Sequence, residues 1–259
     1  MLRRWSKPAT LAITPEGLAL RPAQGDIRLL TALTTSRSWE SLLAELTAIA
    51  AELQIRHVRF ILSSQFVRYA VLPWQPGVFS GQDWQALGEH HMRKLYGAVA
   101  ESWEVRVAMQ GHGESAVVCA IDRALLSRLE DIASEFGWVV HGIEPALMAV
   151  FNHHRQAMPA TDHWLLLAEP QRLLLAEVAN GQWQQFSVVS PPAGQESDAC
   201  IAMVERATLC SEEKKPAEVA CFGSPALLPR ATPDGIRLVR LPQPVKHETS
   251  TTLTMLAAL

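Results

Sequence analysis

The chain has 259 residues, a hydrophobic fraction of 48%, a charged fraction of 19% and a formal net charge of −3. This length allows one large or two smaller domains with a substantial core, and the charge excludes overall electrostatic attraction to nucleic acid. No window reaches the ~18 uninterrupted apolar residues of a membrane-spanning helix. The basic start, Met1 to Trp5, lacks the apolar core of a secretory signal, so we expect a cytoplasmic protein.

The chain opens with a predicted three-stranded meander, a helix and an inner strand. The meander strands are apolar runs separated by turn residues, at 10–13, 17–21 and 27–33. Ser38 is a suitable N-cap for a helix to about Leu53, whose apolar residues recur at three- and four-residue spacing. The β-branched and aromatic run 58–62 is typical of a buried strand. The predicted order is therefore β-β-β-α-β.

The middle of the chain has a different rhythm, with a short sheet and two further helices. Trp103, Val105 and Val107 alternate with Glu104 and Arg106, which predicts a half-buried strand. The predicted elements are a strand at 66–74, a helix at 82–96, strands at 103–109 and 116–121, a helix at 123–136, a strand at 138–143 and a helix at 146–155. Asp122 is expected to cap one helix, and Glu144-Pro145 to start another.

Beyond a predicted linker at 158–162, the order of predicted elements found at the start of the chain is repeated. Asn180-Gly181 is a strong hairpin turn signal between two of the predicted strands. The elements are strands at 164–168, 172–179 and 182–189, a helix at 196–209, and strands at 219–222 and 236–241. A solvated loop is predicted at 212–216, and the apolar stretch 253–259 is expected to be a frayed end.

Each half thus opens on a hairpin whose turn contains proline. A hairpin that cradles phosphate needs glycines, so that backbone N–H groups can approach the anion, and a carboxylate that organises a metal ion. The turn Thr14-Pro15-Glu16-Gly17 has one glycine and loses an N–H at its proline, and Glu169-Pro170-Gln171-Arg172 has no glycine. The layout indicates a nucleotide-binding fold, whereas the turns argue against a nucleotide.

Candidate chemistry elsewhere in the sequence is sparse. The four cysteines, at 119, 200, 210 and 221, match no zinc-binding spacing, so we expect reduced and buried thiols. His90-His91 lacks the i, i+4 spacing of a zinc-protease helix. Ser63-Ser64 lacks the glycine elbow of a hydrolase nucleophile. The sequence therefore predicts no metal site and no catalytic residue.

The order and spacing of elements between His57 and Phe151 carry a family resemblance. A strand ends at Leu72-Pro73, an inserted strand–helix–strand–strand segment follows, and a later strand leads to Ile143-Glu144-Pro145. This arrangement resembles the actin-like ATPase fold. More narrowly, it resembles the PilM-type assembly proteins of type IV pili and the cytoplasmic region of GspL-type proteins of type II secretion. The resemblance is good over about 95 residues and looser elsewhere.

The resemblance implies a duplicated actin-like (ribonuclease H-like) α/β fold with two β-β-β-α-β halves. The first half would span residues 1–157, with a small α+β insertion at about 66–118, and a reduced second half would span 163–259. Nucleotide-binding relatives carry Asp-x-Gly in each hairpin and an adenosine-side glycine cluster. The matching positions here are Thr14, Glu16, Gly17, Glu169, Gln171 and Gly223. These departures predict that no cofactor is bound.

Two functional hypotheses follow from the resemblance. The first is a non-catalytic cytoplasmic scaffold of a bacterial envelope assembly, a type IV pilus or type II secretion-like system. It would bind a protein partner, either the tail of an inner-membrane assembly protein or an assembly ATPase, and peripheral association with the inner membrane stays open. The alternative is an ATP-binding enzyme of the actin-like/sugar-kinase superfold with atypical phosphate loops. A third, weaker hypothesis is a domain unrelated to pili that uses this fold only as a rigid body.

An aromatic cluster in the insertion is the candidate docking site. Trp74, Phe79 and Trp84 group around one loop and helix start, and Arg68 lies nearby in the sequence. Aromatic residues that a core does not need often anchor interfaces, which makes these four the predicted partner-binding residues. The alternative is that the aromatic side chains cover the small inserted sheet and that Arg68 belongs to a solvated face.

Overall fold

The computed structural model describes residues 7–32, 38–78, 80–210, 216–233, 235–242 and 251–259. Its strands are β1 (Ala9–Thr14), β2 (Gly17–Arg21), β3 (Arg28–Ala32), β4 (His57–Leu62), β5 (Val67–Leu72), β6 (Trp103–Met109), β7 (Ala116–Asp122), β8 (Val139–Pro145), β9 (His163–Glu169), β10 (Arg172–Ala179), β11 (Gln182–Val189), β12 (Glu218–Gly223) and β13 (Arg237–Arg240). Its α-helices are α1 (Trp39–Ala50), α2 (Gly81–Tyr96), α3 (Arg123–Glu135), α4 (Ala146–His153), α5 (Glu196–Cys210) and α6 (Thr252–Ala258).

The chain divides into two compact units. One comprises Met1–Phe66, Ala124–His153 and Gln243–Leu259, and the other comprises Val67–Arg123 and His154–Pro242. The predicted insertion therefore shares a compact unit with most of the second half, although in sequence its strands lie within the first half, between β4 and β8. The predicted halves, 1–157 and 163–259, follow the repeat of strands along the sequence. The two compact units follow instead which residues contact each other.

The first unit contains a five-stranded sheet in the order β3-β2-β1-β4-β8. The hairpin β1–β2 and its neighbour β3 are antiparallel, while β4 and β8 join in parallel. All six residues of β1 are buried, as expected for an inner strand covered on both faces. Strand β8 continues to Pro145, which pairs with Leu62, and α4 begins directly after it at Ala146, the predicted first residue of that helix.

Helix α6 corrects the expectation of a frayed C-terminal end. Thr251 and Thr254 form a capping box at its start, and all seven helical residues are buried. The helix packs on β1 and β2, and Arg21 donates to the Ala258 carbonyl with 2.7 Å between the heavy atoms. An arginine at the carbonyl end of a helix is favourable because that end carries partial negative charge. The prediction of a frayed end is therefore wrong, since all seven residues of this short helix are buried.

The second unit repeats the sheet of the first. Its five strands have the order β11-β10-β9-β12-β13, the same topology as β3-β2-β1-β4-β8, so the predicted duplication is confirmed. Helix α5 packs on this sheet around a core of Trp164, Leu166, Leu175 and Met203. The near-continuous apolar run of β9 reflects this position in the middle of the sheet.

The same unit contains the inserted subdomain, a three-stranded antiparallel sheet in the order β5-β7-β6 covered by α2. Ser80 caps α2 by accepting from the Asp83 N–H at 3.1 Å. Gly88 lets the helix approach the sheet, because a Cβ there would lie 2.3 Å from Val107 Cγ2. The predicted strand–helix–strand–strand order is confirmed. Asp122, expected to cap α3, ends β7 opposite Trp103 and immediately precedes the first residue of α3.

Candidate functional site

The first hairpin turn satisfies its polar groups internally. The Glu16 N–H donates to the Thr14 hydroxyl at 3.3 Å, and the Thr14 side chain is 3% exposed. Pro15 has no N–H, and Gly17 pairs with Thr14 in the β1–β2 register. A turn that cradles phosphate needs several N–H groups directed at the anion, whereas here the Glu16 N–H is directed at Thr14 and Pro15 has no N–H to offer.

The second hairpin turn is bonded to a carboxylate of the chain itself. Gln171 has φ of 55°, and its N–H donates to Glu196 Oε1 at 3.2 Å. Glu196 is the first residue of α5 and only 5% exposed, and Glu169, which precedes the turn, is 1% exposed. A helix N-terminus favours an anion because its N–H groups carry partial positive charge. An internal carboxylate therefore lies where a phosphate-binding hairpin would offer its N–H to a ligand.

Charge around this hairpin reinforces that arrangement. Burial, followed by the nearby positive charge of Arg68, lowers the pKa of the Arg172 guanidinium, while Glu169 acts in the opposite direction. Arg172 also donates to the Ser190 hydroxyl at 3.3 Å. Two buried carboxyl groups, Glu169 and Glu196, therefore lie beside this turn together with the Arg172 guanidinium.

Gly223, the remaining adenosine-side glycine, has a structural reason to be glycine. It ends β12 with φ of 150°, and a Cβ there would lie 2.4 Å from the Ala168 carbonyl oxygen. Only glycine permits this close approach between β12 and β9. The residue is therefore explained by strand packing without a nucleotide.

The predicted docking residues fall into two places. The rings of Trp74 and Trp84 lie 5.3 Å apart between centroids, and Trp74 also meets His112 edge-on at 5.0 Å. Trp84 is 3% exposed and belongs to the core under α2, whereas Trp74 is half-buried. Arg68 lies close enough to Arg172 for their charges to interact. Phe79 lies outside the described residues.

The cysteines and candidate metal ligands offer little further chemistry. No group of three or more His, Cys, Asp or Glu side chains among the described residues could hold a metal ion. All four cysteines are free thiols; Cys200 and Cys221 are buried, Cys119 is half-buried and Cys210 is exposed, so the expectation that all are buried holds for two of them. Cys210 ends α5, one residue beyond the predicted helix, where the chain leaves the core.

Two functional residues escaped sequence analysis. Glu196 reads in the sequence as an ordinary acidic residue in a first helical turn, and only its burial and its bond to Gln171 reveal a role. Gln110 follows β6 and binds the main chain of β11: it accepts from the Trp183 N–H at 2.6 Å and donates to the Trp183 carbonyl at 2.9 Å. Neither contact has a signal in the sequence pattern.

The sheet topology and the paired hairpins define an actin-like ATPase fold. The cytoplasmic domain of EpsL, an inner membrane component of the type II secretion system of Vibrio cholerae, is similar with a TM-score of 0.62 at 14% identity, over 96% of this chain and 92% of that chain. A chain of the PilM–PilN type IV pilus biogenesis complex has a TM-score of 0.60 at 12% identity, over 97% of each chain.

A third similar structure is a Bacteroides thetaiotaomicron protein described as having an actin-like ATPase fold and unknown function. Its TM-score is 0.58 at 12% identity, over 99% of this chain and 97% of that chain. No protein-family model matches the sequence, and no curated protein matches it either. The resemblance to PilM-type and GspL-type proteins is thus confirmed in the fold. Among the described residues, no helix is long and apolar enough to cross a bilayer.

Proposed function

We propose that this chain is a non-catalytic, actin-like scaffold of a bacterial envelope assembly of the type II secretion or type IV pilus kind. It acts in the cytoplasm, at the inner membrane, by binding a protein partner: the cytoplasmic tail of an inner-membrane assembly protein or an assembly ATPase. Two of the similar structures, the EpsL cytoplasmic domain and the PilM–PilN complex, come from such systems and support the assignment.

The observation that carries the non-catalytic role is the bond from the Gln171 N–H to the Glu196 carboxylate. It consumes a donor of the second hairpin and leaves a buried negative charge beside it. The first hairpin adds to this, because its Thr14 hydroxyl is used within the turn. Phosphoryl transfer depends almost entirely on donors and metal ions that cradle phosphate, so hairpin turns whose polar groups are used within the chain are better suited to docking.

Partner binding is proposed to use the aromatic end of the insertion. Trp74 is the strongest member of the predicted set, because it is half-buried and packs its ring on Trp84 while keeping part of its surface accessible. Phe79 and Arg68 remain members of the proposed site. Trp84 would contribute by holding the Trp74 ring in place, since its own side chain is buried in the core and packs against that ring.

Nucleotide binding provides the first test. A ligand present at 100 times its dissociation constant stabilises a folded protein by about 2.7 kcal/mol, so ATP-Mg at millimolar concentration should reveal any micromolar site in a thermal melt. We expect no shift beyond that produced by the same concentration of magnesium chloride alone. A reproducible upward shift with ATP-Mg would overturn the proposal in favour of the ATP-binding enzyme.

Partner capture provides the second test. The tagged full chain, expressed in its native host and purified from detergent-solubilised membranes, should carry an identified inner-membrane assembly protein or assembly ATPase. Trp74→Ala should reduce that capture, whereas Tyr96→Ala, which removes a different half-exposed aromatic residue of the same subdomain, should not. Absence of any such partner from the wild-type preparation would count against the scaffold.

A further inference from the structure

A groove of about 820 Å³ runs along one side of helix α5 in the second unit. The helix lines it with residues at i, i+3, i+4 and i+7 spacing, which are Met203, Arg206, Ala207 and Cys210. That spacing marks a single helix face. The groove therefore follows the flank of α5.

The floor of the groove is formed by the sheet face on which α5 packs, alongside that helix. Strand β10 contributes every second residue, Leu175, Glu177 and Ala179, and β11 lies alongside at the sheet edge. Alternate residues of a strand share one face, so the floor is one continuous face of β10 and β11. In layered folds, helices cover such faces, which leaves room here for a second helix beside α5.

The inserted subdomain fixes β11 from its opposite face. Phe186 stacks near Tyr69 of β5 with 5.3 Å between ring centroids, and Gln110 binds both the N–H and the carbonyl of Trp183. The edge strand is therefore held from one face while its other face borders the groove. A preformed surface of this kind lowers the entropic cost of binding.

Exposed apolar side chains cluster at the rim. Val189 pairs with Leu173, on the β10 face that carries Leu175, and is 39% exposed; Val188, on the opposite face of the edge strand, also borders the groove and is 40% exposed, and Leu209 of α5, outside the lining, is 82% exposed. Single exposed apolar residues are ordinary, but a group around one groove marks an interaction surface.

One end of the groove is acidic. Asp162 and Glu177 both line it near the Asn180-Gly181 turn, where the Asn180 N–H donates to Asp162 Oδ1 at 2.8 Å. Burial and then the charge of Asp162 raise the pKa of Glu177. A cation from a partner would relieve the repulsion between the two carboxylates.

We propose that this groove binds an amphipathic helix of a protein partner, whose apolar face lies along α5 and whose Lys or Arg meets Asp162 and Glu177. The inference rests on the proposed scaffold function, because it names a second surface through which such a protein holds its assembly partners. It is separate from the aromatic site at Trp74.

A synthetic helix provides a defined probe. A fluorescent peptide of roughly 18 residues, long enough to form a helix, carries leucines along one face and two lysines at one end; a control peptide has glutamates in place of the lysines. The full chain should bind the lysine peptide saturably, and at least about tenfold more tightly than the glutamate peptide, because buried charge pairs contribute strongly to binding.

Matched variants locate the binding. Val189→Arg and Glu177→Gln should each lower the affinity of the chain for the lysine peptide by about tenfold or more. Val139→Arg changes a comparable exposed valine on strand β8 of the other unit, and Glu205→Gln changes an exposed acid of α5 that does not line the groove. Both controls should bind as the wild type does. Circular dichroism confirms that every variant is folded.

The outcomes separate the groove from the scaffold function. No saturable binding, or equal binding by Val189→Arg and wild type, overturns the groove. Self-association of the chain that Val189→Arg abolishes also overturns it, because the occupant is then a second copy. If the lysine peptide does not bind saturably while the wild type still carries its identified membrane partner, the groove fails while the scaffold stands. Loss of that partner by Val189→Arg but not by Val139→Arg supports both.

Discussion

The backbone N–H of Gln171 donates a hydrogen bond to the Glu196 carboxylate, with 3.2 Å between the two heavy atoms. The two residues are 25 positions apart, one in the turn between β9 and β10 and the other at the start of α5. The bond ties the second hairpin to the helix that packs on the same sheet. A donor that an actin-like nucleotide site would direct at phosphate is thereby used to stabilise the fold.

This bond predicts a stability effect. Glu196→Ala should lower the free energy of unfolding by about 0.5–1.5 kcal/mol, because it removes the acceptor of the Gln171 N–H hydrogen bond that ties the turn to α5. Glu196→Gln should cost less, since the amide oxygen can still accept. Urea denaturation measures both, and Glu205→Ala, an exposed acid on the same helix, should stay within about 0.5 kcal/mol of the wild type. Equal stability of Glu196→Ala and Glu205→Ala would contradict a role for the carboxylate in holding the turn.

The sequence predicted local structure well where turn residues punctuate apolar runs. Strands β2, β10 and β11 have the predicted bounds, because Pro-containing and Asn-Gly turns fix where each hairpin reverses. The repeated sheet order came from the family resemblance, and the strand pairing confirms it.

Long-range burial could not be predicted in the same way. In the sequence, helix α6 resembles a loose apolar tail, because the residues that it packs against lie near the start of the chain. Arg21, which donates a hydrogen bond to Ala258 of this helix, is 237 residues away. The burial of Glu196 was missed for a related reason. An acid in a first helical turn is favourable in solvent as well, so its type and position do not distinguish a solvated cap from an internal anion.

The raised pKa of Glu177 predicts that the stability of the chain depends on pH. Burial, and secondarily the charge of Asp162, raise its pKa above the ordinary carboxyl value of 4.5. Folding therefore takes up a proton between the unfolded and the raised folded pKa, and the ionised side chain lowers stability at all higher pH values. Glu177→Gln should be more stable than the wild type at pH 7, and this gain should disappear as the pH falls below 4.5.

Urea midpoints of both proteins across this pH range provide the measurement. Glu205→Gln, which removes an exposed negative charge from the same unit, corrects for the change in net charge. A gain for Glu177→Gln that persists undiminished below pH 4.5 would contradict the assignment of the effect to this carboxyl.

Thiol labelling should single out Cys210. Burial raises the pKa of Cys119 to about 12, and burial together with the charge of Glu196 raises that of Cys200 to about 12. Burial also raises the pKa of the Cys221 thiol. Because the thiolate is the reactive form, a maleimide at pH 7 should modify only the exposed Cys210 in the native chain, and all four cysteines after unfolding.

Intact-mass spectrometry counts the labels directly. Cys210→Ser should show no native labelling and full labelling of its remaining cysteines in denaturant. Rapid modification of a second thiol in the native wild type would show that one of the buried positions opens readily. The lysine peptide proposed for the α5 groove should slow the modification of Cys210, since this residue lines the groove.

Gly223→Ala tests whether strand packing accounts for the glycine at the end of β12. The new methyl carbon would start 2.4 Å from the Ala168 carbonyl oxygen, on a backbone with φ of 150°, so β12 or β9 must shift. Overpacking of this kind costs about 1–3 kcal/mol, measured as a lower urea midpoint. Gly81→Ala is the matched control, because a Cβ at that helix start meets nothing within 4 Å, and alanine favours the helix by about 0.5–1 kcal/mol. If Gly223→Ala proved as stable as Gly81→Ala, close packing would not explain Gly223, and a ligand-binding reason for this glycine would have to be reconsidered.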